Sequence, residues 1–202
     1  MNIGKLAALA VGAVALLAIG VAVAVPKPGT AQAQSMPAWG PKWTADGRLV
    51  LPKDFHHWVF LGSPLTPNGL NGGQAGFPEY HNVYVQPEAF RAYVASGEWP
   101  EGTIMLKELQ LVREGTYDDG STDEPSGRGF FPGALNGIDI SVKDAKRFAD
   151  TNGWGFFNFG HHAPPYLEAA AEQPVEACAG CHIDNATNMV FLKFYRPILE
   201  AR

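Results

Sequence analysis

The sequence predicts an α+β fold: a single domain rich in antiparallel β-sheet, with helices flanking the sheet. Three observations carry that expectation. Apolar and polar residues alternate through the middle of the chain, in "GTIMLKELQLV" (residues 102–112) and "NGIDISV" (residues 136–142), which is the period of a strand. "PEAFRAYVASG" (residues 87–97) has Pro at its start and Gly at its end, the punctuation of a helix. Strands therefore lie mid-chain with helices around and after them, a pattern of α+β architectures.

Taken in order, Met1 to Ala33 read as an export leader. Lys5 supplies the positive start, Leu6 to Val25 carry no charge, and "AQA" at Ala31–Ala33 is a small-x-small cleavage site. The uncharged run would reach ~30 Å as a helix, so an uncleaved membrane anchor is the alternative. In both cases the rest of the chain is expected in the periplasm, with residues 34–50 an N-terminal arm and residues 51–202 the functional domain. The 169 residues from Gln34 onward suffice for one ordinary core. Lys5 and Lys27 leave with the leader, so 13 basic residues face 20 acidic ones, a net −7. Without a basic stripe, nucleic acid is not an expected partner.

Within the domain, "GRLVLP" is a short strand. The helix over Pro87–Gly97 presents Phe90, Tyr93 and Val94 as its apolar face. "EGTYDDGSTDEPSGRG" is an acidic loop, apolar only at Tyr117, between two strands. "SVKDAKRFADT" reads as a short helix and "GWGFFNF" as an aromatic strand. "YLEAAAEQPVEA" reads as helix and turn, and a last helix closes the chain.

The chemistry concentrates in "EACAGCHID" (residues 176–184), which holds the only two cysteines, Cys178 and Cys181, and then His182. A disulfide scaffold needs more cysteines. A thioredoxin-like dithiol needs a strand leading in, and zinc needs two further ligands at matched spacing. C-x-x-C-H is the attachment motif of c-type haem. Two thiols add to the two vinyl groups, and the adjacent histidine is held under the iron as axial ligand. The predicted fold thus ends in a C-terminal c-type haem motif, where ordinary small soluble cytochromes are helical and carry it near the N-terminus.

What such a haem does depends on the far side of the iron, filled by Met or His in electron carriers and open in catalytic or gas-binding proteins. Met36, Met105, Met189, His56, His57, His81, His161 and His162 are the available sixth ligands, and the sequence leaves all of them open. Met189 reads as core with Leu192 and Tyr195, His56–His57 as a surface pair, His81 as a structural residue before a strand, and His161–His162 as solvated.

Lys107 is the odd residue. Alternation puts it with Met105, Leu109 and Leu111 on the more apolar face of its strand, opposite Glu108, Gln110, Ile104 and Leu106. An unpaired buried ammonium costs several kcal/mol or gives up its proton. The lysine either snorkels to water or is a desolvated, nucleophilic amine.

The chain resembles the cytochrome P-460 family along nearly all its exported length. The resemblance lies in "LPKDFHHWVFLGSPLTPNGLNGG", "FPEYHNVYVQPEAF", "GEWPEGTIMLKEL", "SVKDAKRFA", "GWGFF", and "EACAGCH" followed by "MVFLKFYRPIL". It implies that Lys107, the lysine of the "GT-x-x-x-KEL" strand, is bonded through its side-chain nitrogen to a meso carbon of the haem. It implies thioethers at Cys178 and Cys181, iron ligation by His182, and a distal pocket covered by Phe77, with Arg128, Phe131 and Glu172 as further distal candidates.

The resemblance further implies an exported haem enzyme that oxidises hydroxylamine at an open, five-coordinate iron, giving nitrous oxide or nitric oxide and nitrite. Electrons would pass to a soluble c-type cytochrome, Glu172 would serve as proton acceptor, and the protein would be a homodimer. The sister branch, cytochrome c-prime-beta, keeps the fold without the lysine bond, caps its iron with phenylalanines and binds nitric oxide without turnover; Phe77, Phe130 and Phe131 keep that alternative open. An electron-transfer cytochrome is the third reading.

Overall fold

The computed structural model describes residues 36–201; the leader, with its apolar run and cleavage site, lies outside them. A five-stranded antiparallel sheet forms the centre, in the order β2 (Val59–Gly62), β3 (Tyr80–Val85), β4 (Ile104–Val112), β7 (Pro132–Lys143) and β8 (Trp154–Asn158). A second, two-stranded sheet pairs β1 (Leu49–Val50) with β9 (Ala169–Ala170), and β5 (Thr122–Glu124) pairs with β6 (Gly127–Gly129) as a hairpin. The α+β, antiparallel expectation holds.

Both sides of the sheet are covered, so β4 buries apolar residues on both faces, Ile104 and Leu106 on one and Met105 on the other. Leu106, Ile138, Ile140, Val142 and Phe157 face one side, where Trp43 and Leu51 of the N-terminal region close over them. Val83, Val85, Met105, Trp154 and Phe156 face the other, under the helices. Of these, α1 (Pro87–Ser96) starts at Pro87 and stops at Gly97, whose φ of 77° suits a residue without a side chain. It buries Ala89 and Tyr93, and Tyr93 stacks on Trp99 with ring centres 4.0 Å apart. Val94, expected on the apolar face, is exposed; Ala89 takes that place, with Phe90 partly buried.

Four local expectations give way. The segment after β7 is not an α-helix but turns ending in a 3-10 turn at Ala149–Thr151. The Asp144 carboxylate caps the N–H groups of Lys146 and Arg147, yet left-handed Asn152 (φ 53°) ends the coil after one turn. That brings Phe148 onto Gly155 so closely that a Cβ there would lie 2.3 Å from the ring, which accounts for the glycine inside an aromatic strand. The helix expected in "YLEAAAEQPVEA" is replaced by β9, because Ala169 and Ala170 find Val50 and Leu49 as strand partners. The acidic loop folds into the β5–β6 hairpin, tied by Arg128 to Asp119 at 2.9 Å and by Arg113 to Glu124. The edge strand β2 grows from a segment read only for its surface pair His56–His57.

Candidate haem site

The C-terminal motif folds into α2 (Ala179–Asn185), a two-turn helix with Cys178 as its N-cap. Cys178 and Cys181 are three apart, hence neighbours on one helix face. Both thiols are free; Cys178 is half-buried and Cys181 exposed. Burial pushes the Cys178 thiol up, as does the nearby Asp139 charge.

His182 is held on three sides. Its Nδ1 lies 2.8 Å from the Met189 carbonyl, and its ring sits 4.6 Å from Phe156 and 4.8 Å from Phe191. The carbonyl is presented by an unusual backbone: Asn188 and Met189 are consecutive left-handed residues, with φ of 50° and 66°. Such conformations cost about 1–3 kcal/mol each and cluster at functional sites. A carbonyl can only accept, so Nδ1 carries the proton and Nε2 is left as the lone-pair donor, the arrangement of a metal-ligating histidine. Burial lowers the His182 pKa and keeps the ring neutral. Two free thiols on one helix face, followed by a neutral, oriented imidazole, fit the attachment of haem.

Met189 thus orients His182 through its backbone carbonyl. It is buried, and its sulfur takes a contact from Asn152 Nδ2 at 3.7 Å. Beside His182 lies a cleft of about 470 Å³, lined among others by Trp99, Lys143, Trp154, Asn188 and Met189.

The helices cover the sheet face that carries Lys107. Across one rung, Val83, Lys107, Asp139 and Asn158 follow one another on β3, β4, β7 and β8. Lys107 Nζ is 3.0 Å from Asp139 Oδ2, and Asn158 Nδ2 donates to Oδ1 at 2.7 Å. The ammonium also lies 4.2 Å from the centre of the Phe77 ring. Between the snorkelling lysine and the desolvated amine that the strand pattern leaves open, the structure shows an ammonium with a carboxylate partner and an aromatic face, its side chain 27 % exposed. His182 and Cys178 both feel the charges of Lys107 and Asp139, so the motif and the rung share one electrostatic neighbourhood.

Phe77 is 43 % exposed and stands edge-on to His81 at 5.7 Å and stacked on His161 at 6.2 Å. His81 is mostly buried; burial first, and then the Lys107 charge, lower its pKa, and its Nε2 is buried without a hydrogen-bond partner. His161, expected to be solvated, pairs with Glu79 at 2.6 Å. Met105 is buried two residues before Lys107 on the same face.

Other candidates fall elsewhere. Glu172 is exposed and bridges Phe157, whose side chain faces the opposite side of the sheet. Burial raises its pKa and Arg147 lowers it, and that arginine lies over Trp43 on the same far side. Arg128 is engaged within the hairpin region by Asp119, Ser121 and the Tyr117 ring. Phe131 meets Arg113 at 5.5 Å, and Phe130 lines a separate cleft beside the hairpin. His56 pairs with Glu108 at 3.2 Å on the far face, while His57 and His162 are exposed.

Asp139 and Asn158 were not singled out from the sequence. The signal was present in "NGIDISV", where Asp139 falls between Ile138 and Ile140, but its rung with Lys107 exists only once β4 and β7 are paired.

The family model described as Cytochrome P460 matches residues 52–192, which span every element of this site. The chain belongs to the cytochrome P460 family. A comparison with curated proteins finds no match. As a member of the cytochrome P460 family it is a haem protein.

Proposed function

We propose that this protein is a periplasmic haem oxidoreductase that oxidises hydroxylamine. The haem would be held by thioethers to Cys178 and Cys181, ligated by His182, and fixed at a third point by a bond from Lys107. When bound, the haem supplies an iron that takes up the substrate nitrogen and accepts its electrons, which a soluble c-type cytochrome would collect. The observation that carries the reading is the position of Lys107 Nζ, 3.0 Å from Asp139 and on the sheet face covered by the C-x-x-C-H helix.

The residues divide the remaining work. Val83 and Phe77 flank Lys107 and limit the water that reaches it. Asp139 holds the amine in place. Once that amine is bonded to carbon it is no longer an ammonium, and the carboxylate loses its cation; Oδ2 is then free to accept a proton from substrate. Asn158 keeps the carboxylate oriented through Oδ1. The same geometry without the lysine bond would serve the nitric-oxide-binding branch, a reading favoured by the Phe77 ring over Lys107. A two-fold homodimer is part of the proposal.

The decisive experiment is peptide mapping of the matured protein, with its ferrous spectrum and a hydroxylamine assay. The Lys107 peptide should remain joined through haem to the Cys178–Cys181 peptide, with absorption far to the red of ordinary haem c and hydroxylamine-dependent reduction of a c-type cytochrome. Clean separation of the two peptides together with no turnover would put the protein with the gas-binding branch. A strong-field sixth ligand in the ferric resting state would make it an electron carrier.

A further inference from the structure

The Lys107 amine stands inside a closed circuit of contacts. Along one half, Nζ meets Asp139 Oδ2 at 3.0 Å, Asp139 Oδ1 accepts from Asn158 Nδ2 at 2.7 Å, and Asn158 Oδ1 accepts from the Gly160 N–H at 3.1 Å. The next residue along the chain is His161. Its ring stacks on Phe77 with centres 6.2 Å apart and planes 19° from parallel, within the range of an attractive aromatic pair. The Phe77 ring then returns to the amine, its centre 4.2 Å from Nζ.

His161 is fixed in that circuit from two directions. Its backbone follows Gly160, whose carbonyl accepts from the Ile138 N–H at 3.2 Å and whose φ of 132° is open to glycine. Gly137 leaves the room, since a Cβ there would lie 2.9 Å from the Gly160 oxygen and 3.4 Å from His161 Cα. Its side chain donates from Nε2 to Glu79 Oε1 at 2.6 Å, and Asn136 Nδ2 holds the same oxygen at 2.7 Å. Glu79 is 1 % exposed, so this seat is buried. Phe77 is 43 % exposed, and exposed side chains change rotamer freely unless held. Thr66 Oγ1 donates to its carbonyl at 2.6 Å, which fixes the backbone and not the ring. His81 stands perpendicular to the ring at 5.7 Å, so His161 is its parallel partner.

We propose that His161, seated on Glu79, is a positioning residue for Lys107. It holds the Phe77 ring over the amine, and the ring together with Asp139 fixes where Nζ stands. The proposal rests on the reading in which Nζ is bonded to the haem edge. A lysine ends a flexible four-carbon stem, and one carboxylate is a point contact about which that stem can swing. A cation is also attracted to the face of an aromatic ring, so a fixed Phe77 gives the amine a second, differently placed contact. The histidine acts only through Phe77 and touches neither the amine nor the haem.

The test uses the matured protein and compares wild type with His161→Gln and His161→Phe. The His161 side chain is 44 % exposed, so neither replacement opens the core. Gln keeps a donor for Glu79 and loses the ring; Phe keeps a ring for Phe77 and loses the donor. Peptide mapping reads the fraction of the Lys107 peptide joined through haem to the Cys178–Cys181 peptide. That fraction should fall several-fold in His161→Gln and be partly restored in His161→Phe. A wild-type fraction in His161→Gln overturns the proposal, and so does an equal loss in both variants. If wild type carries no such bond, Lys107 is a free amine, and its acetylation by acetic anhydride before digestion is measured against Lys143, whose side chain is 23 % exposed. Faster labelling of Lys107 in His161→Gln, with Lys143 unchanged, then upholds the positioning while the lysine bond falls. Labelling at the wild-type rate, or a rise at both lysines, removes both.

Discussion

The two faces of the central sheet are built on different principles. The far face, around Leu106, Ile140 and Phe157, is a closed apolar core whose one buried charge, Glu108, has His56 as its partner 3.2 Å away. The near face is apolar only at one end, around Val85, Met105 and Phe156. At the other end it carries Lys107, Asp139, Asn158, His81 and Glu79, with two buried polar atoms left unpaired. The same strands supply both faces, since alternate residues point to opposite sides. The far face is a core that holds the sheet flat against the N-terminal arm; the near face gives up some of that packing to hold chemistry.

The comparison breaks most sharply under truncation. Phe157→Ala on the far face should destabilise the protein by about 3–5 kcal/mol, since Phe157 is 1 % exposed and packs against Trp43 and Phe148. Urea unfolding followed by circular dichroism measures it. Lys107→Leu on the near face should change stability by no more than about 1 kcal/mol, because the lost ion pair is part-exposed and Asp139 keeps Asn158. That variant should fold, hold haem through Cys178 and Cys181, and bind nitric oxide, yet lose hydroxylamine oxidation and the red-shifted spectrum. Equal destabilisation by the two substitutions would mean that the near face is core as well.

His56→Ala probes the His56–Glu108 pair of the far face. Glu108 is almost fully buried, and its Oε1 would lose its hydrogen bond to His56, so a cost of about 1–3 kcal/mol is expected, read again from urea unfolding. Haem content and spectrum should stay as in wild type. A spectral change would show that the far face reaches the site.

Much of this was legible in the sequence, for reasons that differ by element. Alternation marked β4 and β7, aromatic residues marked β8, and Pro87 with Gly97 bracketed α1, because local propensity and fold agree there. The C-x-x-C-H spacing marked Cys178, Cys181 and His182 as one candidate site without any knowledge of the sheet. Residues 144–151 misled because Asp144 starts a helix that Asn152 and the packing of Phe148 then end. Residues 166–177 misled because the β1 partner of Ala169 and Ala170 lies over a hundred positions earlier in the chain. Glu172 was placed by its nearness to Cys178 along the sequence, but its bridge to Phe157 sends it to the far side. Asp139 shows the limit most plainly: its face could be read, while its partner follows only from strand register, which is a long-range property.

The smallest effect concerns Glu79 and pH. Burial raises its pKa, but the hydrogen bonds from His161 and Asn136 and the His161 charge outweigh burial, so the folded value lies below the ordinary 4.5. A carboxylate with a depressed folded pKa contributes stability that is present above its unfolded pKa and is lost as pH falls through the folded one. Wild type should therefore lose stability between about pH 4.5 and more acidic values in a way that Glu79→Gln does not. Urea midpoints at neutral pH and through the acid range should converge for the two proteins as pH drops. The far face provides the control: Phe157→Ala shifts the midpoint by the same amount at every pH, since no proton is involved. If Glu79→Gln gave the same pH-independent offset, the carboxylate would be only a packing group, and its charge would contribute nothing to the near face.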